Sequence, residues 1–186
     1  MKGVISICLT EMIMAKFGDK KLMEILQMAN LPKYTRFWAI ENVPDEDVLA
    51  IFNATCENLN LSLEQVAEMF GEYWCVIYAP KIYRPYFESA KDAKSFLLTM
   101  KRIHEKVTLV IPNATPPAFE YIDEAPNRLI MKYISKRNLQ TIWIGVIKGV
   151  GIAFNEKLDF KMLDENTVEI IFLPADDIEK QVVLQK

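Results

Sequence analysis

The apolar residues keep helical spacing as far as Val110, and strand-like alternation first appears beyond Pro112; this late change of period limits the folds open to the chain. Over residues 4–15 the apolar positions Val4, Ile5, Cys8, Leu9, Met12 and Ile13 predict a helix, with Gly18 as its stop. A second helix is expected from Asp19 to about Ala29, ended by Pro32. Asp45, Glu46 and Asp47 behind Pro44 suit the positive end of a helix dipole, and Val48, Ile51 and Phe52 carry that helix to about Leu59. Ser62 reads as the cap of a fourth helix whose inner face is Val66, Met69 and Phe70. The aromatic stretch 73–83 either extends it or breaks at Pro80. Asp92 opens a longer helix with the stripe Phe96, Leu97, Met100, Ile103, Val107 and Val110. Residues 119–122 and 128–134 then alternate as strands around a Pro126-Asn127 turn. Residues 138–154 form an apolar helix with Gly145, Gly149 and Gly151 suited to close approach, and 157–163 and 167–173 are two further strands. Helices first, then a small antiparallel sheet, is an α+β pattern.

Length and charge narrow the function. The 186 residues fit one domain, and with 51% of them apolar the chain can bury its own core. A formal net charge of -3 lacks the basic excess typical of nucleic-acid binders. No apolar run approaches the roughly 20 residues that cross a bilayer, so membrane insertion is not expected. The odd three cysteines, Cys8, Cys56 and Cys75, have no metal-ligand spacing and read as core positions; with no leader-like opening, the expected location is cytoplasmic. Phosphate-binding loops, dinucleotide glycine patterns and nucleophile elbows are missing from the sequence.

The single histidine, His104, falls on the inward stripe of the long helix, four residues after Met100. Periodicity leaves two readings open: a core histidine bonded to a neighbour, or an axial metal ligand, for which a neutral imidazole nitrogen is suited. In Tyr133-Ile134-Ser135-Lys136-Arg137, alternation along a strand would send Tyr133, Ser135 and Arg137 to one side. Such a trio can grip carboxylates, or it can be a solvated strand face.

Taken together, Tyr-x-Ser-x-Arg downstream of a lone inward histidine resembles the haem-nitric-oxide/oxygen-binding (H-NOX) domain family, in its stand-alone bacterial form. The resemblance runs through Met1-Lys2-Gly3, Phe17-Gly18, Phe70-Gly71, Phe96-Leu97, Ile103-His104, Pro116-Pro117, the Tyr133 trio and residues 145–149. It implies a helical amino-terminal lobe (1–60) over a carboxy-terminal lobe with a four-stranded antiparallel sheet (61–186), in a single domain, with haem b (iron protoporphyrin IX) buried between. His104 matches the proximal iron ligand. Tyr133, Ser135 and Arg137 match the group that binds the haem propionates, and Pro117 and Ile5 match residues pressed against the macrocycle. Met100, Leu9, Trp74, Tyr78, Ile142 and Val146 complete the expected cofactor wall. Some relatives carry a zinc site near the carboxy terminus; from Phe154 onward this chain has neither cysteine nor histidine, so no structural zinc is expected.

The resemblance also bears on the gas. Oxygen-binding members place a tyrosine five residues past the motif arginine, supported by a tryptophan and an asparagine; the matching positions here are Ile142, Leu9 and Trp74. With that hydrogen-bonding set replaced, the expected ligand is nitric oxide, with carbon monoxide as a further possibility, and oxygen is excluded. A two-residue slip would bring Gln140 into the pocket instead. The expected mechanism is loss of the iron–His104 bond, relaxation against Pro117 and Ile5, and a shift of the lobes. A separate histidine kinase or cyclic-di-GMP enzyme would read that shift, and the chain itself would not be an enzyme. The alternatives are an oxygen-binding member of the same family, a haem-free interaction module, and an enzyme using His104 as a base.

Overall fold

A computed structural model describes residues 1–123 and 125–173. The helices are α1 (Gly3–Phe17), α2 (Asp19–Met28), α3 (Asp45–Leu59), α4 (Leu63–Glu72), α5 (Ala79–Ile82), α6 (Arg84–Ser89), α7 (Ala93–Val110) and α8 (Gln140–Ala153), with a π-helical segment Tyr73–Tyr78 between α4 and α5. The strands are β1 (Ala118–Asp123), β2 (Arg128–Ile134), β3 (Leu158–Met162) and β4 (Thr167–Phe172). They form one antiparallel sheet in the order β1-β2-β4-β3. The α+β architecture is therefore as the change of period predicts.

Local chemistry fixes several boundaries. Ser62 and Gln65 bond each other's backbone at the start of α4, and Asp92 and Ser95 do the same at the start of α7. The aromatic stretch after α4 neither stops nor continues as a plain α-helix. It widens into the π segment, and Pro80 then falls in the first turn of α5, where a missing N–H costs nothing. Helix α6 has no apolar period and is not foreseen from the sequence.

Two apolar cores result. One gathers α1, α2, α3 and α4, with Leu9, Met12, Ile51, Phe52 and Phe70 fully buried or nearly so. The other packs α7 and α8 on the sheet, around Phe96, Leu97, Leu129, Met131, Ile147 and Ile170. Trp74 and Val146 pack against both. Helices α4 and α8 cross at glycines. A Cβ on Gly145 would lie 2.1 Å from the Ala67 carbonyl oxygen, and one on Gly149 would lie 2.1 Å from that of Gly71. Lys148 on α8 pairs with Glu68 on α4 beside this crossing.

Two expectations need correction. Strand β2 ends at Ile134, so Ser135 and Arg137 lie in the turn beyond it and not on a strand face. Asn138, at φ 52, takes the left-handed conformation and swings the chain into α8. The stripe of α7 also ends early: Val110 is 78% exposed, because the last turn of α7 runs past the body it packs on. Among the described residues, no helix is long and apolar enough to cross a membrane, and no cluster of three or more histidine, cysteine or acidic side chains could hold a metal.

Candidate functional site

Between the two cores lies a cavity of about 480 Å³, within the range of small-molecule and cofactor sites. Val4 and Ile5 of α1, Phe52 of α3 and Phe70 of α4 wall it from the amino-terminal side. Helix α7 lines another side with Phe96, Met100, Ile103 and His104, and α8 contributes Ile142, Trp143 and Val146. The wall is mostly apolar, with polar groups concentrated at a few points.

His104 is one of them. Its Nδ1 lies 2.8 Å from the carbonyl oxygen of Pro117. A carbonyl can only accept, so Nδ1 carries the proton, and in the neutral ring Nε2 holds the free lone pair. Burial pushes the imidazole pKa down; the bond to Pro117 opposes this without overcoming it. The ring is therefore neutral at neutral pH, oriented by its second nitrogen, which is how metal-binding histidines are commonly held. Phe119 packs against it with ring centres 5.2 Å apart.

Arg137 is the second polar point. Its Nε donates to Asp45 Oδ2 at 2.7 Å, while Nη1 and Nη2 donate to the carbonyl and hydroxyl oxygens of Thr115 at 2.5 and 2.8 Å. The backbone N–H of Arg137 donates to Ser135 Oγ at 3.2 Å, so the turn holds both side chains together although they leave the strand. Asp45 also accepts from the Met1 ammonium at 2.5 Å. Burial alone would raise the Asp45 carboxyl, but hydrogen bonds from the chain terminus and from Arg137 hold it below its usual range. Tyr133, opposite Phe119 in the β1–β2 register, is 4% exposed and lines the cavity.

Of the residues singled out in the sequence, His104, Tyr133, Ser135, Arg137, Pro117, Ile5, Met100, Trp74, Ile142 and Val146 all line this one cavity. Leu9 and Tyr78 are not among its lining residues. Both sit one layer back in the amino-terminal core, where the Tyr78 ring packs 5.6 Å from that of Trp74. Gln140 also stays outside the cavity, its amide donating to Asn166 Oδ1 at 2.8 Å, so the slipped alignment places no donor there. The three thiols are free; burial raises the pKa of each, and Cys75 lines the cavity. Sequence reasoning missed Asp45 and Thr115 as partners of Arg137, and it missed Phe119 and Trp143. Only the pairing of two aromatic-bearing strands hinted at Phe119.

A family model described as haem-NO-binding matches residues 2–162. Solved structures share the fold. An H-NOX protein from S. oneidensis in the Fe(II)NO ligation state is 19% identical with a TM-score of 0.82, covering 94% of this chain and 100% of that one. The I5F mutant of T. Tengcongensis H-NOX is 22% identical with a TM-score of 0.78, covering 94% and 98%. An oxygen-binding H-NOX domain related to soluble guanylate cyclases is 22% identical with a TM-score of 0.75, covering 94% and 96%. No curated protein sequence matches.

Proposed function

Because this chain belongs to the haem-NO-binding family, we propose that it holds one haem b on His104 and reports nitric oxide to a separate protein. Haem binding is a family property, and the cavity suits it. A flat apolar tetrapyrrole with two carboxylates calls for a largely apolar slot, one neutral imidazole and a cationic group at an edge. His104, held through Nδ1 by the Pro117 carbonyl at 2.8 Å, is the observation that carries the reading. When bound, the haem would supply a ferrous iron able to take a diatomic gas.

The residues divide the work. His104 offers its Nε2 lone pair to the iron. Arg137, with Tyr133 and Ser135, faces the carboxylates and gives a charge-assisted contact. Ile5 on α1 and Pro117 before β1 touch the cavity from different lobes, so a change in the occupant's shape acts on both. A partner that binds one lobe arrangement better than the other reads the change. By resemblance, that partner is a histidine kinase or a cyclic-di-GMP enzyme acting in trans, in the cytoplasm, and this chain acts as a sensor without catalysis of its own.

Nitric oxide is favoured over oxygen by the apolar side chains that Val4 and Ile5 of α1, Phe70 of α4 and Ile142 of α8 present to the cavity. Bound oxygen needs a hydrogen-bond donor, and these four offer none. The competing oxygen reading draws on Trp74, whose indole N–H belongs to a wall residue, although its ring is stacked 6.0 Å from Phe70. Two measurements test the proposal. A His104→Gly variant should load little haem until free imidazole is added; ordinary loading with an unchanged Soret band would remove the assignment. Reduced protein in air should show no stable oxy spectrum, whereas a persistent one would favour oxygen.

A further inference from the structure

Helix α7 is basic in an acidic protein. It carries Lys94, Lys101, Arg102 and Lys106 against the single acid Glu105, on a chain whose formal net charge is -3. Lys94 is committed inward, to the Ala125 carbonyl. The other three are exposed, and none forms an ion pair with a carboxylate among the described residues. Lys106 does no more than lie over the Tyr86 ring, 5.9 Å from its centre. Along the helix, Arg102, Glu105 and Leu109 follow at steps of three and four and share the face opposite His104, with Lys101 and Lys106 on its flanks. That face ends in apolar side chains: Leu109 is 86% exposed, and Val110 beside it runs past the body of the protein.

A single exposed leucine is ordinary, but an overhanging apolar helix end one turn from unpaired cations offers both steering charge and area to desolvate. Residues outside α7 sum to a charge still more negative than that of the whole chain. A nucleic acid or an anionic membrane, broad enough to reach past one helix, meets net repulsion from that remainder. A protein surface matched to a single helix does not. We propose that the outer face of α7 is the docking surface for the signalling partner, which presents acidic side chains to Lys101, Arg102 and Lys106 and an apolar socket to Leu109 and Val110. This rests on the haem reading above, in which His104 of the same helix holds the iron. A helix shifts as a rigid rod, so a change in what His104 holds displaces Arg102 and Leu109 with it, and the partner binds the two positions unequally.

The test uses the haem-loaded protein, ¹⁵N-labelled and held as its carbon monoxide complex, with probes of stated chemistry. One is a helical peptide of 18 residues, the length of α7, with leucines on one face and glutamates beside them. The others are a short duplex DNA and vesicles of phosphatidylcholine with phosphatidylserine. The acidic peptide should shift the amides of residues 101–110, and its affinity should fall about tenfold in Lys101→Glu/Arg102→Glu while the Soret band stays that of the wild type. A counterpart with glutamine for glutamate should bind far more weakly, and Leu109→Ser should weaken the acidic peptide as well. Shifts confined to other surfaces, or an affinity indifferent to the charge reversal, would overturn the proposal. So would DNA or vesicles held by the same residues more tightly than the peptide, because the partner would then be a nucleic acid or a membrane. Any of these failures beside a normal Soret band leaves His104 as the iron ligand, whereas a wild-type protein that takes up no haem removes the function and this role of α7 together.

Discussion

His104 behaves as it does because one nitrogen is already committed. The Pro117 carbonyl fixes the proton on Nδ1, and the apolar wall disfavours a second proton on Nε2. This links the imidazole to stability. An unfolded chain protonates its histidine below about pH 6.5, whereas the folded haem-free protein resists until a lower pH. Between those two pKa values the unfolded state binds more protons, so stability falls as pH falls through that window and is unaffected above it. Urea unfolding of the haem-free protein at about pH 7 and pH 5.5 should show a steeper loss for wild type than for His104→Leu. Parallel losses in the two proteins would mean that the ring titrates freely in the folded state.

At the scale of elements, the cavity depends on how closely α8 approaches α4. A Cβ on Gly71 would come within 1.9 Å of the Gly145 carbonyl oxygen and 2.6 Å of the Val146 nitrogen, both backbone atoms that cannot rotate aside. Gly71→Ala should therefore cost about 3 kcal/mol or more, seen as a lower urea midpoint, because the crossing must open. Gly18→Ala meets nothing within 4 Å, but at φ 84 and ψ 166 its backbone lies in a region almost confined to glycine, so it should cost about 1–3 kcal/mol of strain. An unchanged midpoint in Gly71→Ala would show that the helices separate without penalty. The sequence made Gly145, Gly149 and Gly151 legible as points of close approach, though not their partner Gly71, and the long helices were legible because caps and period act within a few residues. The turn after Ile134 was not, since Ser135 and Arg137 keep the alternation of a strand while Asn138 bends the backbone. Nor were the partners of Arg137: Asp45 lies 92 residues away and Thr115 lies 22 away, and such pairings leave no mark in local pattern. His104 stood out as the only histidine, and its orienting carbonyl could come only from the fold.

At the scale of the whole molecule, the amino terminus, Asp45 and Arg137 make a polar tie across the two lobes. Met1 and α3 belong to the amino-terminal side, and Arg137 to the turn that leaves the sheet. With Asp45 38% and Arg137 24% exposed, water screens the pair, and its contribution to global stability should stay below about 1 kcal/mol. Its effect on the relative placement of the lobes is another matter, because it joins elements whose cores are otherwise separate apart from α8, Trp74 and the packing around the cavity. Asp45→Asn should therefore barely move the urea midpoint, yet speed hydrogen exchange severalfold at the amides of residues 2–5 and 137–139. Those amides flank Ile5 and Arg137, the cavity residues through which a change of occupant reaches each lobe. Exchange unchanged there, with α3 likewise unaffected, would place the lobe contact elsewhere, in the α4–α8 crossing, and the two halves would then move as one body when the cavity fills.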